Sequence, residues 1–94
     1  MYVHTLPLEP RPQGSALVSD NADMPVGRIS PGDSVTLHCR EVKIVAQVLE
    51  LEPDQYMVGQ ILDFQGTLKP EIEGVNVGCY LRFKEKHVWA AHAA

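Results

Sequence analysis

Side chains that could act as nucleophiles are few in this sequence and poorly placed for chemistry. The chain has two cysteines, Cys39 and Cys79, and four histidines. His38 directly precedes Cys39, but neighbouring residues of a strand point to opposite faces, so this imidazole cannot activate the thiol. The sequence contains no Cys-x-x-Cys pair, no Gly-x-Ser-x-Gly elbow and no phosphate-binding glycine loop. We therefore predict that the protein is not an enzyme and has no catalytic residues and no cofactor.

The histidines also lack the spacing of a metal site. His87 and His92 would lie on opposite faces of a strand, and no second pair of ligands completes a zinc site. Two cysteines are too few for a disulfide scaffold, which favours free thiols. The sequence has no signal-peptide pattern and no apolar run of about 18 residues. We expect no bound metal, a cytoplasmic location and no membrane contact.

The strongest local pattern is a cluster of aromatic and basic residues near the C-terminus. A two-residue turn at Glu85-Lys86 would place Arg82 opposite Trp89 in a hairpin. Residues 76–94 carry a net charge of +2, which leaves −6 for residues 1–75 of a chain whose total is −4. The predicted binding residues on the outward face of this hairpin, called here the hairpin surface, are Tyr80, Arg82, Lys84, His87 and Trp89.

Aromatic and basic side chains on a strand surface serve two kinds of recognition. They occur in protein-binding grooves and in single-stranded nucleic-acid grooves. A structural alternative is that Trp89 covers one end of a barrel while Arg82 and Lys84 protect an edge strand from aggregation. We expect a non-catalytic interaction or assembly module that binds a protein partner or itself. Weak single-stranded nucleic-acid binding through the hairpin surface is the alternative function.

A second alternative function is nucleotide binding of the PilZ type. The segment Ile61-Leu62-Asp63-Phe64-Gln65 faintly resembles the Asp-x-Ser-x-x-Gly strand of PilZ domains. Gln65 stands where that motif has serine, and Leu68 stands where it has glycine. No Arg-x-x-x-Arg precedes the segment, and such arginines would hold the phosphates bidentately. We therefore expect no binding of this type.

Proline separates the first part of the chain from the rest. Five of the seven prolines fall within residues 1–31, and each removes a backbone donor and fixes φ. We predict an extended or disordered, proline-rich arm over residues 1–30 and a folded domain over residues 31–94. Residues 2–6 could add an edge strand to this chain or to a second copy, giving a homodimer. The Pro-x-x-Pro at Pro7–Pro10 fits a docking peptide, but a spacer is the favoured interpretation.

From Gly32 onward, apolar and polar residues alternate as they do in strands. In the second strand, residues 42–51, every second residue is apolar as far as Val48. After Val48 this alternation shifts by one residue, to Leu49 and Leu51. Such a slip predicts a bulge or bend near residues 48–49. The third strand, residues 56–64, is predicted to have Tyr56, Val58, Leu62 and Phe64 in phase on one face.

Residues 31–91 resemble the small SH3-like β-barrels found in many bacterial proteins. The resemblance rests on Gly32-Asp33-Ser34-Val35, on the bent strand at residues 42–51, and on Val77-Gly78-Cys79-Tyr80-Leu81-Arg82-Phe83. It implies an all-β fold, with a small five-stranded antiparallel SH3-like barrel behind the irregular arm. It implies no particular function.

Overall fold

A computed structural model describes residues 2–12, 18–19, 29–67 and 71–92. These residues form strands joined by turns, with one 3₁₀ turn and no α-helix, which confirms the all-β prediction. Residues 1, 13–17 and 20–28 of the predicted irregular arm lie outside the described residues. The strands are β1 (Val3–His4), β2 (Val18–Ser19), β3 (Ser34–Cys39), β4 (Val42–Leu51), β5 (Tyr56–Gln65), β6 (Glu71–Ile72), β7 (Val75–Asn76), β8 (Tyr80–Lys84) and β9 (Val88–His92).

Seven strands form one open, mixed sheet in the order β1-β8-β5-β4-β3-β9-β2. The five longest strands pair antiparallel, while β1 and β2 pair parallel with β8 and β9 at the two ends. The expectation of a purely antiparallel five-stranded sheet is therefore too simple. The added strands give the free backbone groups of β8 and β9 hydrogen-bonding partners, which an edge strand otherwise lacks. In the described part of the chain, β6 and β7 form a separate hairpin. No helix there is long and apolar enough to cross a membrane.

The predicted C-terminal hairpin is wrong. The strand β8 pairs with β5 and β1, whereas β9 pairs with β3 and β2. A 3₁₀ turn over Glu85–His87 carries the chain from one strand to the other. The Lys84 backbone N–H donates to Nδ1 of His87 at 3.1 Å, and this bond spans the turn. Arg82 and Trp89 consequently lie on strands that are not neighbours in the sheet.

The predicted bulge in β4 is confirmed. Val48 pairs with Gly59 and Glu50 pairs with Val58, so Leu49 is the extra residue. The bulge turns Leu51 toward the core side, where it pairs with the buried Met57. Leu51 nevertheless remains 44% exposed because the strand ends there.

The predicted face of β5 is wrong at two of its four positions. Val58 and Phe64 are buried, whereas Tyr56 is only half-buried and pairs with Lys84. Val45 pairs with Asp63 and Ala46 pairs with Ile61, so a second bulge falls at Leu62. Leu62 is 45% exposed, while Ile61 and Phe64 are buried. The sequence phase could not show which residue the bulge would displace, because Ile61 and Leu62 are both aliphatic.

The core lies on one face of the long strands. Alternating residues of β3 and β4 point into it, as their patterns predict, and Phe83 and Val88 contribute from β8 and β9. Leu6 and Leu8, which follow β1 in the chain, pack against this core as partly buried residues. The N-terminal segment is thus part of the packed structure over residues 2–12.

Candidate functional site

The five residues of the predicted hairpin surface do not form one patch. Arg82 and Lys84 lie beside Tyr56 of β5, whereas Trp89 lies beside His38 of β3. Tyr80 pairs with Val3 and Gln60, and the His87 ring is engaged by the 3₁₀ turn. Two separate surfaces replace the single predicted one.

The first surface is centred on Tyr56. Lys84 is its register partner, and the Lys84 Nζ lies 4.7 Å from the ring centroid. The Arg82 guanidinium lies 5.7 Å from the same centroid. It donates two hydrogen bonds to the Glu52 carboxylate, from Nε at 2.8 Å and from an Nη at 3.2 Å. A bidentate pair of this kind holds both side chains in place and neutralises much of the positive charge.

A groove of about 400 Å³ borders this surface where β4 ends and β5 begins. We call it the end groove. Its apolar lining comes from the exposed end of β4 and the first residues of β5, and carboxylates lie at its rim. The lining residues are Ile29, Leu51, Glu52, Gln55, Tyr56, Met57 and Glu85.

The turn that shapes the end groove is held by backbone geometry. The predicted turn at residues 52–55 is confirmed, and the Gln55 N–H donates to the Glu52 carbonyl at 3.3 Å. Gln55 has φ +71°, a left-handed conformation that costs a non-glycine residue about 1–2 kcal/mol. Strained residues of this type cluster at sites where a surface must keep a particular shape.

The carboxylates of the end groove retain hydrogen-bond acceptors for a cationic ligand. Glu52 and Glu85 each bind an arginine of the chain itself, Arg82 and Arg11. A carboxylate has about four lone-pair sites, so each retains acceptor capacity. Aliphatic lining next to carboxylates suits an aliphatic side chain followed by a lysine or arginine.

The second surface is centred on Trp89. The Trp89 ring stacks on the His38 ring, with centroids 4.0 Å apart and planes 5° from parallel. Trp89 is the extra residue between the pairs Leu37–Val88 and Thr36–Ala90, so a bulge directs its ring to the outer face beside His38. The ring is therefore half-buried on the surface rather than in the core.

Residues 2–12, called here the N-terminal strap, reach the Trp89 surface. The Trp89 indole N–H donates to the Glu9 carbonyl at 3.0 Å, and the Glu9 N–H donates to the His38 carbonyl at 2.8 Å. The Arg11 side chain, only 16% exposed, donates to the Val88 carbonyl at 2.9 Å and to the Glu85 carboxylate at 3.0 Å. The Pro-x-x-Pro segment thus lies on the domain and is not a free spacer.

Two histidines make stability depend on pH. Burial and the neighbouring Lys43 lower the pKa of His38, although Glu9 opposes this shift. Burial, Lys86 and Lys84 lower the pKa of His87. The ordinary pKa of histidine is about 6.5. Because both histidines have a lower pKa in the folded state, the unfolded chain binds more protons as the pH falls through this value, so acid favours unfolding.

We therefore expect thermal stability to fall as the pH is lowered from 7.5 to 5.5, which calorimetry at fixed ionic strength can measure. The double variant His38→Gln, His87→Gln should show a weaker dependence over the same interval. A melting temperature that rises on acidification in the wild-type chain would contradict the assignment.

The thiols are not arranged for catalysis. Both cysteines are free, Cys39 buried and Cys79 half-buried. Burial and the nearby Glu73 raise the pKa of Cys39 despite the opposing Arg40, so its nucleophilic thiolate is disfavoured. Among the described residues, no three His, Cys, Asp or Glu side chains lie close enough together to hold a metal ion.

Sequence reasoning missed several residues that shape the two surfaces. Tyr56 replaces Trp89 as the aromatic partner of Arg82, and Arg11 joins the N-terminal strap to the 3₁₀ turn. Leu51 had a detectable signal, since the phase slip in β4 already indicated a bulge before it. The other contacts join residues that are distant in sequence.

No family model matches the chain, and comparison with curated proteins and with solved structures finds none with significant similarity.

Proposed function

We propose that this protein is a non-catalytic interaction module built on a small SH3-like barrel. The strand order β8-β5-β4-β3-β9 among the five longest strands and the 3₁₀ turn before β9 support the barrel assignment. The free thiols of Cys39 and Cys79 fit a reducing compartment such as the cytoplasm.

The end groove carries the proposal of protein binding. The exposed Leu51 lines it together with Tyr56, Glu52 and Glu85. Concave apolar surfaces with a few polar groups are typical of recognition sites. The partner is an extended peptide segment that inserts an aliphatic side chain and presents a lysine or arginine to Glu52 or Glu85.

Selection from a display library of random dodecapeptides against the full chain tests this function. We expect the selected peptides to combine aliphatic residues with lysine or arginine, because the groove combines apolar side chains with carboxylate acceptors. Selection of acidic peptides, or of none above background, would count against the proposal.

Self-association is a second form of the same function. The edges of a small sheet accept added strands, and β1 already lies on β8 in parallel. Light scattering over a range of concentrations distinguishes a dimer from a monomer. A monomer at high micromolar concentration would remove self-association from the proposal.

Single-stranded nucleic-acid binding is the alternative, and the contacts of Arg82 weaken it. Arg82 is already bound to Glu52, and Glu52 and Glu85 border the same surface. Lys84 beside Tyr56 is what still favours it, since basic and aromatic side chains together bind single strands. Binding of a labelled oligonucleotide that weakens with salt and with Lys84→Ala would support this alternative.

A further inference from the structure

The N-terminal strap contacts the domain in the manner of a bound peptide. Its residues Leu6 and Leu8 pack against the core, while Pro7, Glu9 and Pro10 between and after them are exposed. This alternation is that of an extended segment with one face on the domain. The strap therefore shows what kind of segment the Trp89 surface can bind.

The contacts of the strap divide into two kinds. The bonds from the Trp89 indole and to the His38 carbonyl use only the backbone of Glu9. These bonds do not depend on the side chain at that position. Any extended segment could form them.

The second kind of contact is specific for arginine. The Arg11 guanidinium reaches both the Val88 carbonyl and the Glu85 carboxylate. The backbone N–H of Arg11 also donates to the Lys86 carbonyl at 2.7 Å, and this bond does not require an arginine. A guanidinium has several donors in a fixed fork, so it can serve a carbonyl and a carboxylate at once. Lysine cannot reproduce this geometry.

We propose that the surface formed by Trp89, His38 and Glu85 is a recognition site for extended, proline-rich segments with an arginine after the second proline, and that residues 6–11 occupy it in cis. A segment of the same chemistry supplied in trans must displace the strap before it binds. Its apparent affinity equals its intrinsic affinity multiplied by the fraction of molecules in which the site is free. This site is distinct from the end groove, although Glu85 contributes to both.

The test uses a fluorescent peptide with the sequence of residues 5–12 and the full chain carrying Arg11→Ala. Loss of the guanidinium weakens the strap, so we expect saturable binding of the peptide to this variant at least about tenfold tighter than to the wild-type chain, a difference of about 1.4 kcal/mol. A matched peptide with alanine at its arginine should bind the variant at least about tenfold more weakly. The double variant Arg11→Ala, Glu85→Ala should lose the preference between the two peptides.

The wild-type chain gives a second measurement that does not depend on how the variant folds. At millimolar peptide we expect displacement of the strap and a change in emission from Trp89, the single tryptophan of the chain. Absence of saturable binding to both chains, or equal affinity for the arginine and alanine peptides, would overturn the proposal. Failure here leaves the end groove untouched, because binding in that groove is tested separately by its dependence on Leu51.

Discussion

Replacing Phe83 by alanine is expected to lower the free energy of unfolding by about 3–5 kcal/mol. Phe83 is 1% exposed and is among the largest fully buried side chains of the described residues. It lies on β8 opposite Met57 and belongs to the core cluster. Removing the ring loses apolar burial and leaves a cavity that a close-packed interior does not fill. Chemical denaturation followed by Trp89 emission measures the change.

The size of this effect matters because small domains are marginally stable. A chain of this length has a free energy of unfolding of about 5–15 kcal/mol, so the substitution removes between about a fifth and all of it. Leu62→Ala is the control, since Leu62 is 45% exposed and its truncation should change stability by about 0.5 kcal/mol or less. A loss below about 1 kcal/mol for Phe83→Ala would show that the core is packed differently.

Replacing Gly59 by alanine is the second large effect, with an expected loss of about 1–3 kcal/mol. A Cβ at this position would lie 2.9 Å from the Gln47 carbonyl oxygen and 3.1 Å from the Cε1 atom of Phe83. The first of these contacts is with backbone, which cannot rotate away as a side-chain end can. Either β4 and β5 move apart or the Phe83 ring shifts, and both disturb the core. Thermal and chemical unfolding measure the loss.

A double-variant cycle identifies the contact responsible. In a Phe83→Leu background, the contact between the new methyl group and the ring is absent, while the contact with Gln47 remains. We expect a coupling of at least about 0.5 kcal/mol between the two substitutions, because residues in direct contact are not additive. Strict additivity, or an unchanged stability for Gly59→Ala alone, would contradict the close approach of Gly59 to the β4 backbone and to the Phe83 ring.

The parts of the fold that the sequence predicted are those governed by local patterning. Alternation in β3 and β4 identified the buried residues, and the slip after Val48 identified a bulge, because each signal lies within one strand. The path from β8 to β9 was mispredicted because Glu85-Lys86 fits a two-residue turn equally well. Pairing of β9 with β3 joins segments about 50 residues apart, and no local signal specifies such pairing.

The candidate site was predictable only in its composition. Arg82, Lys84 and Trp89 were identified as residues that could bind a partner, but their grouping assumed the wrong strand pairing. Tyr56 lies beside Arg82 and Lys84 because β5 pairs with β8, and Arg11 reaches the Trp89 surface because the strap lies on it. Neither contact could be predicted without the sheet topology. The proline-rich segment was interpreted as a spacer because the fixed φ of proline indicates extended chain but not what lies against it.

The affinity of one library-selected peptide for three full-length chains tests the central claim most directly. Leu51→Asp places a charge in the end groove, while Leu62→Asp places the same charge on an equally exposed leucine outside its lining. Fluorescence anisotropy should show binding at least about tenfold weaker for Leu51→Asp than for the wild type, a loss of about 1.4 kcal/mol, with no change for Leu62→Asp. Equal affinity for all three chains would contradict the claim that the end groove is the site of binding.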